Sequence, residues 1–158
     1  MTAPGRPSLD VFITDGRLRA QRPDAFTLEQ MLDAACRDVD AADKMVEESR
    51  SWTEAILYEA GLRCARVIVQ AAGWRIAADR GHQTAIDAAD GITEGRQHRR
   101  LLRLHRMRRV RHEFMYEVGR EPSQSDIEQA RRDVVELITE AEAAIRRIAH
   151  VVPSGGSW

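Results

Sequence analysis

The sequence has little lysine and few aromatic residues. The first shortage determines which basic side chain the protein uses, and the second bears on its fold class. Lys44 is the single lysine among 24 basic residues, so the other basic side chains are arginines, which bind phosphate through paired hydrogen bonds. Aromatic residues make up 5% of the chain. No segment alternates Val, Ile, Thr or Tyr with polar residues, which argues against strands. Helix-forming residues dominate instead, so the sequence predicts an all-α protein.

Cysteine is also scarce, and long apolar runs are absent from the sequence. Cys36 and Cys64 are the two cysteines, and their spacing matches no metal-ligand pattern. We therefore expect two reduced thiols inside helices and neither a metal nor another cofactor. No apolar run approaches the roughly 20 residues of a membrane span, and the N-terminus lacks a basic segment followed by an apolar one. These features predict a cytoplasmic protein that does not interact with a membrane.

The length of 158 residues fits one domain with a buried core. Residues 1–26 contain Pro4, Pro7 and Pro23 and are predicted to form a flexible N-terminal arm, whose apolar residues 9–13 could dock on the rest. Residues 27–150 are predicted to form a helical bundle. Residues 151–158 are expected to be a disordered tail.

Periodic apolar positions predict four long helices and one short helix in the bundle. The first four predicted helices span residues 27–48, 51–78, 82–90 and 94–118. The last begins with Ser123 or Ser125 as its N-cap and ends near residue 150. Thr27 with Gln30 and Ser51 with Glu54 have the spacing of capping boxes and are expected to start the first two helices. Short connections between the helices favour an up-and-down bundle, with the second helix at its centre.

The densest charge in the chain lies in residues 96–112, which contain eight arginines, three histidines and no acidic residue. Neighbours three or four positions apart, such as Arg99 and Arg103, repel each other. This helix therefore needs an anion from elsewhere. The anion could be a nucleic-acid backbone, an acidic helix of the same protein or an acidic helix of a second copy. Within the chain, the acidic residues of the first predicted helix are the obvious candidates.

The arginine-rich helix has an apolar stripe at helical spacing. Its members are Leu104, Met107, Val110, Phe114 and Val118. The neighbouring face contains His105, Arg108, Arg109, His112 and Tyr116. Arg111 falls within the apolar stripe, where a charge is costly unless acceptors surround it. Arg111 is therefore predicted either to bind phosphate or to have a structural role, in which it neutralises a buried acid or fastens two subunits.

Three segments resemble the HEPN superfamily of small helical bundles, which are found in toxin–antitoxin and defence systems. They are residues 57–65, Gly81 with His82, and residues 108–116. The resemblance that these three segments indicate covers roughly residues 27–150. Many members of this family are metal-independent ribonucleases. His82 is expected to anchor the short helix.

The ribonucleases of this family use an Arg, usually followed by a polar residue, and a catalytic His that is separated from the Arg by four to six residues. Arg111 followed by His112 resembles the start of that motif, but Tyr116 stands where the catalytic His is expected. A phenol, with an ordinary pKa of about 10, is a poor general base near neutral pH. His112 could take over the proton transfer, since Arg106 lies six positions before it.

The resemblance implies RNA binding by a homodimer in which the arginine helices of two copies meet. On this interpretation Arg111, His112 and Tyr116 form the catalytic site of an endoribonuclease, with an antitoxin as a protein partner. The residues expected to bind RNA are Arg103, His105, Arg106, Arg108 and Arg109. The alternative is a catalytically inactive HEPN-like dimer that binds an acidic protein partner. A third class, a bundle that binds a small ligand, has no specific pocket in the sequence.

Overall fold

The computed structural model describes residues 9–77, 81–116 and 121–151, and for residues 108–116 and 149–151 it describes the backbone alone. The elements are α1 Leu9–Thr14, β1 Leu18–Ala20, α2 Ala25–Met45, α3 Arg50–Ala71, β2 Trp74–Ile76, α4 Gly81–Ile92, α5 His98–Tyr116 and α6 Gln124–Val151. Helix dominates these residues, which confirms the all-α prediction. Among the described helices, none is both long enough and apolar enough to cross a membrane. The predicted tail lies outside the described residues from position 152 onward.

Helix α3 lies at the centre and packs against α2, α4, α5 and α6, as the sequence predicted. Because neighbours surround it, apolar and small residues continue around its circumference rather than along one stripe. Leu57, Gly61, Leu62 and Cys64 are all buried, although they face different neighbours. The helix therefore provides the surface on which the other elements are positioned.

Helices α2 and α6 pack against α3 and against each other. The apolar face of α2 recurs at helical spacing and is buried at Leu28, Leu32, Ala35, Val39 and Ala42. Helices α4 and α5 cover other sides of α3, and α2 does not pack against α5 among the described residues. Among the described ion pairs, none joins an acidic residue of α2 to an arginine of α5.

Two helices begin earlier than the capping boxes predicted. Asp24 is the N-cap of α2, and Thr27 lies in the first turn, where its Oγ1 donates a hydrogen bond to Asp24 Oδ2 at 2.5 Å. Ser49 is the N-cap of α3, and its Oγ accepts a hydrogen bond of 3.2 Å from the backbone N–H of Trp52. The starts predicted at Thr27 and Ser51 were wrong because each segment contains two good capping residues within three positions, and spacing does not choose between them.

The start of α6 agrees with one of the two predicted alternatives. Ser123 Oγ accepts a hydrogen bond from the backbone N–H of Asp126 at 3.0 Å, and the Asp126 carboxylate accepts one from the Ser123 N–H at 3.0 Å. This reciprocal pair satisfies two backbone donors at the helix start. Ser123, rather than Ser125, is therefore the cap.

The expected arm contains two elements that the sequence pattern did not predict. Strand β1 pairs antiparallel with β2, with Leu18 opposite Ile76 and Ala20 opposite Trp74. Phe12 of α1 is 1% exposed, and the guanidinium of Arg17 lies 4.3 Å from the centre of its ring. Strands of three residues are too short to show an alternating pattern. Residues from Leu9 onward thus pack on the bundle.

Helices α3 and α5 approach closely at Gly61. A Cβ atom at this position would lie 2.8 Å from Leu104 Cδ1 and 3.6 Å from Val134 Cγ2 of α6. Both neighbouring side chains are buried. The absence of a side chain at Gly61 therefore sets the distance at which the arginine-rich helix packs on the core.

We predict that Gly61→Leu lowers the free energy of unfolding by roughly 1–3 kcal/mol, because the added side chain overpacks this contact. Leu104→Ala alone should cost about 2–5 kcal/mol through the cavity it leaves. The double variant should lose less unfolding free energy than the two single variants lose in total. The smaller side chain at position 104 makes room for the larger one at position 61. Urea denaturation of the four proteins measures the coupling. Strict additivity would contradict the close approach of α3 and α5.

Candidate nucleic-acid interface

Helix α5 has one face on the core and one face in solvent. Leu101 and Leu104 are buried, and Met107 packs against the core. On the opposite side Arg99 and Arg106 are exposed, and Leu102 is 38% exposed. We call Arg99, Leu102 and Arg106 the outer face of α5. The positions 99, 102 and 106 follow helical spacing, so these side chains project from one side of the helix.

Two arginines of α5 and the turn before it are neutralised by acidic residues of α6. Arg103 donates two hydrogen bonds to Asp133, from Nε to Oδ2 at 2.6 Å and from Nη2 to Oδ1 at 2.8 Å. Asp133 is 5% exposed, so this is a charge-assisted pair with little solvent on the carboxylate side. Arg96, just before α5, donates from Nη2 to Glu140 Oε1 at 2.8 Å. These arginines fasten α5 to α6.

Two histidines of α5 contact acidic residues of α4. His98 Nδ1 lies 2.6 Å from Asp90 Oδ2, and His105 Nε2 lies 2.8 Å from Asp87 Oδ1. His105 and Asp87 are both half-buried. His105 was predicted to bind nucleic acid, but in this structure its side chain is held by α4.

The anions that α5 requires thus come in part from within the chain, and none of the described contacts comes from the first predicted helix. The carboxylate of Asp43 in α2 pairs instead with Arg131 of α6, at 2.8 and 2.9 Å. Asp38 of α2 pairs with Arg63 of α3 at 3.2 Å. In the part of the structure whose side chains are described, the carboxylates that contact α5 and the turn before it therefore belong to α4 and α6.

Three arginines of α5 remain without an ion pair among the residues whose side chains are described. Arg99 and Arg106 are exposed on the outer face, and Arg100 donates only to the amide oxygen of Gln97, at 3.2 Å. Of the five predicted nucleic-acid ligands, Arg106 is the one whose described side chain is exposed and unpaired. Its guanidinium is therefore available to an external anion.

The remaining predicted site residues fall on the second half of α5. Arg108, Arg109, Arg111, His112 and Tyr116 lie within the helical span His98–Tyr116, and their side chains lie outside the described part of the chain. The backbone places them on the consecutive turns that follow Arg106. Their predicted roles stay predictions.

His82 contacts the centre of the bundle. The hydroxyl of buried Tyr58 lies 3.3 Å from His82 Nδ1, and the two rings are tilted with their centres 6.3 Å apart. His82 is the second residue of α4. The contact ties the start of α4 to α3, which agrees with the predicted anchoring role.

Sequence reasoning overlooked a carboxylate in a cleft of about 370 Å³ between α3, α5 and α6. Glu54 lines this cleft together with Arg103, Arg106 and Asp126. Burial raises the pKa of the Glu54 carboxyl to about 7, and the nearby Asp126 carboxylate adds to the shift. Glu54 was assigned to a capping box with Ser51. Once Ser49 is the cap, Glu54 lies in the second turn, at helical spacing from buried Tyr58 and Gly61. That spacing is the signal that could have revealed it.

Metal and thiol chemistry find no support in the described residues. These residues contain no group of three or more His, Cys, Asp or Glu side chains that could hold a metal ion. Cys36 and Cys64 are both free. Burial raises the pKa of each thiol, which disfavours the reactive thiolate.

We predict that Glu54→Gln stabilises the protein above pH 7 and changes its stability little below pH 4.5. The folded protein keeps the Glu54 proton up to about pH 7, whereas the unfolded chain loses it near 4.5. Folding therefore takes up a proton in this window, and the stability of the wild type falls as pH rises through it. A shift of this size corresponds to on the order of 3 kcal/mol.

Urea denaturation at pH 4.5, 6 and 8 measures this effect. Glu29→Gln is the matched control, because it makes the same chemical change at an exposed carboxylate of α2. A stability difference between Glu54→Gln and wild type that stays constant with pH would show that Glu54 loses its proton as readily in the folded protein as in the unfolded one.

Comparisons with known proteins do not place this chain in a family. No protein-family model, no curated protein and no solved structure matches it. The geometry and charge of the chain itself are therefore the basis for inferring its function.

Proposed function

We propose that the protein is an RNA-binding, HEPN-like helical bundle that contacts the RNA backbone through the outer face of α5. The observation that carries this proposal is the division of the arginines in and just before α5 into two groups. Arg96 and Arg103 have carboxylate partners, whereas Arg99 and Arg106 are exposed without one in the described structure. The second group takes no part in packing α5 on α6, so its charge is available to an external anion.

The chemistry of the outer face fits RNA. Arginine presents a planar fork of donors that matches the oxygens of a phosphate. Leu102, exposed between Arg99 and Arg106, offers an apolar contact for a base or ribose. The sequence continues the basic face with Arg109 one turn after Arg106. In this proposal Arg103 and His105 position the helix, and the RNA ligands are the unpaired arginines.

The proposal extends to the assembly and to the second half of α5. We infer an up-and-down arrangement of α2, α3, α5 and α6 and a homodimer in which Arg111 of the two copies faces one RNA. Arg111 would hold a phosphate, and His112 would transfer a proton. Tyr116 at the expected position of the catalytic His leads us to expect weak or no cleavage by the wild type.

A catalytically inactive dimer that binds an acidic protein is the second candidate function. Exposed Leu102 favours it, because an apolar side chain between cations also suits the rim of a protein interface. The two candidates differ in what the outer face binds, so one binding experiment separates them.

We predict that Arg99→Glu with Arg106→Glu weakens binding of single-stranded RNA by at least about ten-fold at roughly 50 mM salt. Each lost phosphate contact should also make the dependence of log K on log salt shallower by roughly 0.7. Fluorescence anisotropy with a labelled oligoribonucleotide measures both quantities. Arg103 is left unchanged, because its removal would leave the buried carboxylate of Asp133 unpaired and destabilise the fold.

The matched control is Arg37→Glu with Lys44→Glu. These two cations are exposed on α2, which does not pack against α5 within the described residues, and their substitution changes the net charge by the same amount. The control should retain most of the RNA affinity. Equal losses in both variants would indicate an effect of overall charge. Absence of RNA binding by the wild type would favour the acidic protein partner.

We predict that Tyr116→His gains ribonuclease activity or cellular toxicity, because an imidazole transfers protons near neutral pH and a phenol does not. Any activity should disappear when Arg111 or His112 is replaced by Ala, whereas Tyr116→Phe should retain whatever activity the wild type has. Cleavage of a labelled RNA, with the dimer monitored by sedimentation, tests this. An inert Tyr116→His variant with an intact dimer would limit the likeness to HEPN nucleases to the fold.

A further inference from the structure

Four arginines from α5 and α6 line one cleft of about 350 Å³. They are Arg100, Arg103, Arg131 and Arg132. Two of them are already neutralised, because Arg103 is paired with Asp133 and Arg131 with Asp43 through two hydrogen bonds each. The other two bring positive charge into the same cleft without a carboxylate bonded to them in the described structure.

Arg100 and Arg132 are held in the same way on the two helices. Arg100 Nη1 donates to Gln97 Oε1 at 3.2 Å, and Arg132 Nη2 donates to Gln129 Oε1 at 3.1 Å. In each case the glutamine lies three residues earlier in the sequence. A neutral amide orients a guanidinium without cancelling its charge, and a guanidinium has five N–H donors. Most donors of both groups are therefore left for a ligand.

The cleft is ordered by a hydrogen-bond chain that joins its two walls. Asp133 accepts from Arg103 of α5 and from Gln129 Nε2 at 2.9 Å, and the Gln129 oxygen in turn accepts from Arg132. The bond to Asp133 fixes which end of the Gln129 amide faces Arg132. The geometry of Arg132 is thus set before any ligand arrives, which lowers the entropy that binding costs.

We propose that this cleft binds a phosphomonoester between Arg100 and Arg132. A phosphomonoester carries close to two negative charges and has three terminal oxygens, so it matches two unneutralised guanidinium forks. A backbone diester carries one charge and has two such oxygens. Glu136 at the cleft is exposed and opposes an anion, whereas exposed Val135 offers an apolar wall to the group that the phosphate is attached to.

The phosphomonoester could come from two sources. It is the terminal phosphate of an RNA strand if the proposed function holds, in which case the strand runs from the cleft onto the outer face of α5. It is a free phosphorylated metabolite otherwise. The cleft and the outer face use different arginines, so the two can be tested separately.

Inorganic phosphate is the first probe, titrated into the full chain near neutral pH and followed by NMR of the arginine side chains, with sodium chloride at matched ionic strength as the reference. Arg100→Gln and Arg132→Gln should each weaken phosphate binding by about ten-fold or more, since each removes hydrogen bonds to a charged group. Glu136→Gln should tighten it. Arg99→Gln should leave it unchanged, because Arg99 does not line the cleft.

Equal weakening by Arg99→Gln and Arg100→Gln would overturn the proposal, because it would show diffuse attraction to a basic helix. The proposal would also be overturned if phosphate changed the arginine NMR signals no more than chloride does at the same ionic strength. The Arg→Gln variants keep most of the side-chain stem, so their packing should be preserved. Glu136→Gln keeps all four arginines, so tighter phosphate binding by this variant tests the position of the site independently of arginine loss.

The second probe is one oligoribonucleotide with a 5′-phosphate, a 3′-phosphate or hydroxyl groups at both ends. A terminal phosphate should tighten binding to the wild type, and Arg132→Gln should abolish that preference while retaining binding of the hydroxyl-ended strand. No preference for a phosphorylated end, with inorganic phosphate still bound, would overturn RNA as the source and support a small phosphorylated ligand. Loss of hydroxyl-ended RNA binding in Arg99→Gln reports on the proposed function alone.

Discussion

Asp133 is the residue on which the arrangement of charges depends. It lies on α6 with 5% exposure, and its carboxylate accepts hydrogen bonds from Arg103 and from Gln129. A buried carboxylate is costly unless it is paired and hydrogen-bonded, so Asp133 requires Arg103, whose own side chain is partly exposed. The pair holds α5 against α6. It also orients Gln129, and through it the guanidinium of Arg132.

The same pair divides the arginine-rich surface into parts with different roles. On one side of it lies the cleft that contains Glu54 and Arg106, and on the other lies the cleft that contains Arg100 and Arg132. The neutralised arginines give the helix a fixed position. The arginines without carboxylate partners then present their charge from that position, which is the condition for selective rather than diffuse attraction of anions.

The packing of α5 on α3 allows the ion pair between Arg103 and Asp133 to form. Gly61 permits Leu104 to lie against α3, and this brings α5 close enough to α6 for Arg103 to reach Asp133. Glu54 lies two turns before Gly61 on the same helix, and its burial, together with the nearby Asp126 carboxylate, raises the pKa of its carboxyl to about 7. Dense packing thus yields both the stable core and a carboxyl group that titrates near neutral pH.

The sequence by itself determined the helical class, the central position of α3, the buried face of α2 and the location of the basic helix, because amphipathic spacing and charge runs are local properties. It misplaced the starts of α2 and α3, where Asp24 and Thr27, or Ser49 and Ser51, are equally good caps. It did not predict β1 and β2, because three residues are too few to show a pattern. Only the tertiary structure decided which arginines are neutralised, since Arg103 lies 30 residues from Asp133 and Arg96 lies 44 residues from Glu140. Ion pairs between residues so far apart in sequence depend on how the helices pack, and the spacing of residues along the chain does not predict that packing.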